Sequence, residues 1–560
     1  MIGKRKGFYM KKMGKRWLAL FLMSVMVFSS CGGNGGDESK AASATAGTGD
    51  REKIVRITAS FPLQSDPAIG SNSVEAAVMF NIYDSLVFPD VDGTIVPHLA
   101  EKWDVSEDGM IYTFQIRKGV KFHDGSEMTA EDVAFSMNRL LAIGEGFSYL
   151  FVPYVKEAVA KDDTTVEFHM KQTFGPFVSA LVRMSVLNKD VVMANLAEGP
   201  YGEFGDYGKA YLLTADAGCG PYRITEVSVS EKMTAEKFED YYLGWGENNP
   251  EKIQFVAVND SATIRTLMSN RELEITDEWQ SMENLNTLSA IDGIDVTNMY
   301  TGAVVNLEMN TKIAPTDDIH FRKAMSYLMD YATVTSSIYP GAKQAKGPVS
   351  GAYLGRDEDL FQYSYDLEKA KEELKKSPYY DQLANYPITI EWSADVPDEE
   401  KICLLLQQAC SQVGITLNIQ KSPFATLIAN VATPETTSHI TIMYPSDSYN
   451  EAGSVLALRY HSTTSGTFTQ YEWLLNDDID AAIEDSLQTL NQEERMEKYK
   501  KIQQDLIELC PTIWVCEWAE MRAYQSGYLY WPEAEQGKNG GTNAPIMGRS
   551  MYCRTMEFRN

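Results

Sequence analysis

Residues 97–140 read PHLAEKWDVSEDGMIYTFQIRKGVKFHDGSEMTAEDVAFSMNRL, and their local order decides the fold. Glu107-Asp108-Gly109 makes a turn, after which Tyr112, Phe114 and Ile116 alternate with Thr113 and Gln115, the period-two pattern of a half-buried strand. Lys118-Gly119 and Asp124-Gly125 reverse the chain twice. Thr129 followed by Asp132 forms a capping-box pattern and opens a helix with Val133, Met137, Leu140 and Leu141 on one face. Physics alone reads a strand, two reversals and a capped helix here.

Outward from this stretch the chain alternates strands and helices without a repeat. The clearest unit runs from Pro387 to Gln420. It has a strand at 388–392, a helix opened by Asp398 with Ile402, Leu405, Leu406, Ala409 and Val413 inward, Gly414 at its end, and a strand at 415–419. That is a βαβ unit, which implies parallel strands and a right-handed crossover. Asp318 caps a helix through Phe321, Ala324, Met325 and Leu328. Asn491 caps another, striped by Met496, Tyr499, Ile502, Leu506 and Leu509 and stopped by Pro511, with Glu494–Lys498 and Glu497–Lys501 pairs on its wet face.

The first sixteen residues carry seven Lys or Arg and no acid, and 17–28 are almost wholly apolar. A run that short cannot span a hydrocarbon core of roughly 30 Å, so residues 1–30 read as a signal peptide. Ser29 and Ser30 lead into Cys31, which resembles the lipidated cysteine of a bacterial lipobox, with Phe28 where that motif prefers Leu. Residues 31–52 are then a lipidated, flexible tether, and the protein is expected at the cell membrane, anchored on its extracytoplasmic face. Cleavage there would move the formal net charge from −28 to −35, which makes nucleic-acid binding a poor reading. Six further cysteines in so long a chain are no disulfide scaffold. Cys403 and Cys410 sit about 10 Å apart along one helix and cannot bridge, whereas Cys510 and Cys516 leave one local disulfide open. The six histidines are scattered and no H-E-x-x-H or C-x-x-C occurs, so neither a metal nor a cofactor is expected.

Residues 97–140 resemble the pattern LAxSWxxSxDGxxYTFxLRxGVKFHDGxxxTAxDVxxSxxR of the family 5 extracellular solute-binding proteins, the peptide and nickel receptors of ABC importers. Gly218-Cys219-Gly220-Pro221-Tyr222 resembles that family's GTGPY, with Cys in place of Thr. His320-Phe321-Arg322-Lys323-Ala324 resembles its VRxA helix, and Tyr365-Asp366-Leu367-Glu368-Lys369-Ala370-Lys371 its YDPEKAK helix. The resemblance implies an α/β, two-lobed periplasmic-binding-protein-like (type II) fold with an extra subdomain in the first lobe. Lobe I would hold 53–300 plus 515–560, with the inserted subdomain at about 81–214. Lobe II would hold 301–514, and the hinge would be the crossings near 299–310 and 515–523.

A solute would then sit between the lobes. Met443-Tyr444-Pro445-Ser446-Asp447-Ser448-Tyr449 resembles the family's WxxDYxDP segment, whose Asp takes the α-ammonium group of a peptide; Asp447 falls on that position. Tyr444 stands where Trp is usual, and Asn450-Glu451 where Asp-Pro is common. Asp447 could equally make an Asx turn. Tyr444 and Tyr449 flank it. Phe61 and Leu63, just after the first strand, and Glu278 with Trp279 are further candidates, each also readable as loop or core packing. Arg459 and His461 follow closely enough to meet a ligand carboxylate, although a solvated arginine is as ordinary an outcome.

The expected function is a non-enzymatic, monomeric receptor that captures a peptide and delivers it to ABC permease subunits. Oligosaccharide is the alternative ligand, since 30 Tyr and 9 Trp offer stacking surface, and nickel comes after it. A lipid-anchored hydrolase and a peptide-signal sensor are readings of another class; no Gly-x-Ser-x-Gly supports the former.

Overall fold

The computed structural model describes residues 51–444 and 448–559. The expected signal peptide, Cys31 and Asp447 lie outside the described residues. Glu52 to Asn560 group as one compact unit.

Three sheets organise this unit. Ile54–Thr58 pairs in parallel with Lys252–Val256, and Lys232–Lys237 and Tyr222–Ser228 extend the sheet antiparallel. A six-stranded central sheet runs in the order Lys343–Gln344, Thr512–Glu517, Val304–Met309, Ile440–Met443, Ile388–Ser393, Leu417–Ser422. Its last three strands are mutually parallel, and Ile388–Ser393, helix Glu399–Ser411 and Leu417–Ser422 are the expected βαβ unit. Every residue of Val304–Met309 and Thr512–Glu517 is buried because both faces are covered. Val305, Leu307, Met309, Ile513 and Val515 enter one core with Phe321, Met325, Ile402 and Leu406. Val304 and Trp514 point the other way, into a core shared with helices Ala452–Tyr460, Asp477–Gln488 and Gln492–Leu509.

The third sheet, Ala100–Val105, Ile111–Ile116, Thr165–Met170 and Val155–Asp162, is antiparallel throughout and is built on the quoted segment. Tyr112, Phe114 and Ile116 are buried while Thr113 and Gln115 are half-exposed. Gly109, Gly119 and Gly125 take φ of 69°, 73° and 91° in the three turns, where a Cβ would be strained. Helix Ala130–Ile143 opens on Thr129, whose N–H and hydroxyl both donate to Asp132 at 2.9 Å, and stops on Gly144 at φ 71°. Asn138 exchanges both amide hydrogen bonds with the backbone of Ala158, locking the helix to the sheet. Gly218 and Gly220 lie against the Ile82 carbonyl so closely that a Cβ at Gly218 would sit 2.1 Å from its oxygen.

Some local expectations give way to tertiary contacts. Asp398 does not cap its own helix; its carboxylate accepts from Met282 N–H at 3.1 Å and from Lys401 at 2.6 Å. Lys501 pairs with Asp505 and not Glu497, which binds Lys500 at 2.6 Å. All six described cysteines, Cys510 and Cys516 included, are buried free thiols.

Arg139, on the quoted helix, donates from Nη1 and Nη2 to the two oxygens of Asp66 at 2.8 and 2.6 Å and from Nε to the Tyr207 carbonyl at 2.8 Å; both charged side chains are 0% exposed. Removing one member strands the other charge in the core, a cost of about 3–5 kcal/mol. Arg139→Met should therefore lower unfolding stability by about that amount in urea titrations, and Arg139→Met combined with Asp66→Leu should recover much of the loss.

Candidate functional site

The strand ends of the central sheet that carry Tyr444 and Trp518 converge on Trp279, which comes from the loop before helix Met282–Ser289. The indoles of Trp279 and Trp518 stack at 5.5 Å between centroids and 11° between planes. Tyr444 meets both edge-on, at 6.0 Å from Trp279 and 5.7 Å from Trp518. Tyr339 joins through a 2.6 Å hydroxyl pair with Tyr444 and an 88° ring contact. Such offset and edge-to-face pairs contribute about 0.5–1.5 kcal/mol each beyond area burial. Burial pushes the hydroxyls of Tyr339 and Tyr444 well above the ordinary tyrosine range, so both stay protonated and one donates to the other.

Beneath this cluster lies a buried ionic network. Arg522 donates from Nη2 to Glu278 at 2.5 Å, from Nε to Glu520 at 2.6 Å and from Nη1 to the Thr276 carbonyl at 3.0 Å. Ser73, in the first turn of helix Ser73–Ile82, donates to the other oxygen of Glu278 at 3.0 Å. Asp277 accepts from Thr58, Gln280 and the Trp279 N–H at 3.0, 2.8 and 2.9 Å, which fixes the loop that presents the indole. Burial raises the carboxyl of Asp277, and Glu278 beside it adds to the rise. Two acids thus share one arginine, with Asp277 beside them.

Of the residues singled out from sequence, Glu278, Trp279 and Tyr444 come together here. Phe61 and Leu63 pack on the core behind helix Ser73–Ile82. Tyr449 is buried against Phe174, in a stretch held to distant segments: Ser448 accepts from Arg183 Nε at 2.8 Å and pairs with the Tyr149 hydroxyl at 2.6 Å, and Asn450 donates to the Gly93 carbonyl at 2.9 Å. The neighbouring Glu451 is bidentate to Arg495, with both bonds at 2.9 Å. Arg459 lies in the core, donating to Thr469 at 3.3 Å and countering, through its charge, the rise that burial imposes on Glu308. His461 turns toward Asp480 and Glu484 at 4.0 and 3.3 Å. Tyr339 and Trp518 went unread. Trp518 follows a buried strand at an expected crossing, which was the available signal; Tyr339 has none. A cavity of about 550 Å³ beside Arg117, Lys118 and Tyr242 holds none of these residues. Among the described residues no His, Cys, Asp and Glu side chains group to hold a metal, and no described helix is long and apolar enough to cross a membrane.

Residues 94–467 match the family described as bacterial extracellular solute-binding proteins, family 5 Middle. The chain belongs to that family. The family 5 chain is 26% identical, over 88% of its length and 94% of the relative's, to the "Probable D,D-dipeptide-binding periplasmic protein DdpA" of Escherichia coli. It superposes on the DppA periplasmic binding protein of Helicobacter pylori, solved with the peptide STSA, at a TM-score of 0.74 and 20% identity, covering 90% of this chain and 98% of that one. It also superposes on NikZ of Campylobacter jejuni, solved with Ni(L-His), at 0.76 and 17%, covering 90% and 100%. The architecture is the type II periplasmic-binding fold.

Near this family 5 site, at the end of strand Ile388–Ser393, Glu399 is buried and accepts from the Ser393 N–H at 2.6 Å, with no cation in contact among the described residues. Burial raises its carboxyl well above the ordinary range, with Asp395 adding to the rise. The folded state therefore holds this proton where the unfolded chain has released it, so stability falls as pH climbs from the ordinary carboxylate range toward the raised value. Thermal melts across that range should show a shallower decline for Glu399→Gln than for the wild type.

Proposed function

We propose that this family 5 protein captures peptides between two closing lobes and hands them to the transmembrane subunits of an ABC importer. The observation that carries the reading is the convergence of Trp279, Tyr339, Tyr444 and Trp518, brought from four stretches of chain onto one sheet end. Peptide-binding relatives support peptide as the ligand class. Lobe I would comprise 53–300 with 515–560, carrying an inserted subdomain at about 81–214, and lobe II 301–514. The aromatic cluster would line the cleft, and Asp447, three residues beyond Tyr444, would take the peptide's ammonium group. The contacts that anchor Ser448 and Asn450 to Arg183, Tyr149 and Gly93 would hold that stretch in place against the inserted subdomain. A fixed carboxylate replaces the water an ammonium loses on entry, a charged hydrogen bond worth about 1.5–3 kcal/mol.

Binding needs no nucleophile, and the protein would act without turnover, as a monomer, tethered by a lipid on Cys31 after removal of residues 1–30. Two acyl chains anchor stably where one does not.

The test is a thermal-shift screen of the purified protein against peptide and oligosaccharide pools. A ligand at a hundredfold its Kd adds about 2.7 kcal/mol of stability. Peptide pools should raise Tm and oligosaccharides should not, and no peptide should be cleaved. Asp447→Ala should weaken a bound peptide by about ten- to a hundredfold, the equivalent of the lost charged bond, and N-acetylating that peptide should cost nothing further in the variant. An undiminished affinity in Asp447→Ala would sink the ammonium site.

A further inference from the structure

Beside Trp518 lies a cavity of about 240 Å³. Both segments that lead away from the central sheet line it, Tyr300 to Ala303 from one and Glu517 with Trp518 from the other. These segments run side by side: Met299 and Glu520 exchange backbone hydrogen bonds at 3.2 and 2.8 Å, and the Trp518 N–H donates to Ala303 at 2.9 Å. Gly302, at φ 95°, has no room for a Cβ, which would fall 2.7 Å from the Tyr353 ring.

The walls are basic in a chain whose formal charge is −28. They hold Lys343, Lys346 and Arg356 against the single acid Glu517. Glu517 is already engaged, accepting from the Gly351 N–H at 3.1 Å and facing Arg356 at 3.5 Å. Lys346 and Arg356 reach outward to Glu358 at 3.3 and 3.2 Å, whose side chain is 66% exposed. Arg356 Nε is buried with no hydrogen-bond partner among the described residues. Lys343 stands directly across the sheet from Glu517 yet has no ion pair with a described residue; its ammonium lies over the Tyr300 ring at 4.9 Å. A planar guanidinium whose Nε–H lacks a partner and an ammonium over an aromatic face together suit a carboxylate, which accepts from both.

We propose that this cavity is a carboxylate site, with Lys343 and Arg356 as its ligand-binding residues. The carboxylate is either the acidic end of the captured solute or a free small carboxylic acid; the first source rests on the peptide reading and the second does not. Because the cavity is walled by both crossing segments, its occupant bears on both.

The experiment measures binding of short peptides, of the same peptides as C-terminal amides, and of succinate, by calorimetry and thermal shift on the purified protein, wild type and Lys343→Met, with Lys343→Arg and Arg356→Met as companions. If the solute supplies the group, free-acid peptides bind about tenfold or more tightly than their amides, the preference vanishes in Lys343→Met and returns in Lys343→Arg. If a free acid supplies it, succinate alone raises Tm in the wild type but not in Lys343→Met, and amidation is without effect. Peptides that bind regardless of amidation, with no succinate shift, overturn the carboxylate site and leave the peptide reading standing. Succinate binding without any peptide binding does the reverse. An acid preference or succinate shift that survives in both Lys343→Met and Arg356→Met also overturns the assignment.

Discussion

The fully buried pairing of Arg139 with Asp66 is the constraint on which the remaining arrangement turns. A buried ion pair gives little net stability over a well-packed apolar substitute, because desolvating two charges consumes most of their attraction. What it supplies is an arrangement with no tolerable neighbour, since any shift leaves a charge unpaired. Arg139 reaches its place because the Thr129–Asp132 start and the Gly144 stop fix the helix, and because Asn138 pins that helix to the strand at Ala158. Asp66 comes from the loop that also carries Phe61 and Leu63. A segment that looks like scaffold thereby sets the loop running from the first strand toward the site. The same device recurs where Arg522 holds Glu278 and Arg495 holds Glu451, joining stretches 244 and 44 residues apart, and more locally where Arg549 holds Glu533.

What could be read from the sequence was local. Alternation at Tyr112, Phe114 and Ile116, the glycine turns, and the βαβ unit from Ile388 to Ser422 are properties of a dozen residues at a time, and the structure repeats them. Reading failed where a side chain had a choice of partners. Asp398 had the right position to cap its own helix, but it accepts instead from the first N–H of helix Met282–Ser289, which a single-chain pattern cannot foresee. Lys501 had carboxylates within reach on both sides along its helix and took the C-terminal one. Arg459 looked like a cleft residue by its nearness to Asp447; helix Ala452–Tyr460 instead turns it into the core, where Glu308 needs a counter-charge.

The candidate site was legible only in fragments for a related reason. Trp279 and Tyr444 were visible as aromatics at element ends, but nothing in either stretch tells that their rings meet, or that Trp518 and Tyr339 complete the group. Convergence is a product of sheet order. Val304–Met309 pairs antiparallel with both Ile440–Met443 and Thr512–Glu517, and this places the strand ends bearing Tyr444 and Trp518 on either side of it at the same end of the sheet. The order of strands is the feature least recoverable from one sequence, so the cluster could be assembled only from coordinates.

The protein's acidity then acquires a more specific meaning. Burial raises the carboxyls of Asp277, Glu308, Glu399, Glu472 and Glu520, so these buried groups hold their protons where ordinary carboxylates have released theirs. The exposed remainder still surrounds the molecule with a negative potential, which draws in any cationic group and repels any anionic one. Such a field attracts the ammonium end of a zwitterion without orienting the rest of it, and within roughly 8–10 Å of the surface salt screens it away. Orientation has to come from short-range contacts that oppose the field locally. The cluster of Lys343, Lys346 and Arg356 opposes it on one side of Trp518, while the acid-rich network around Arg522 reinforces it under Trp279. The overall composition conceals this local difference in charge.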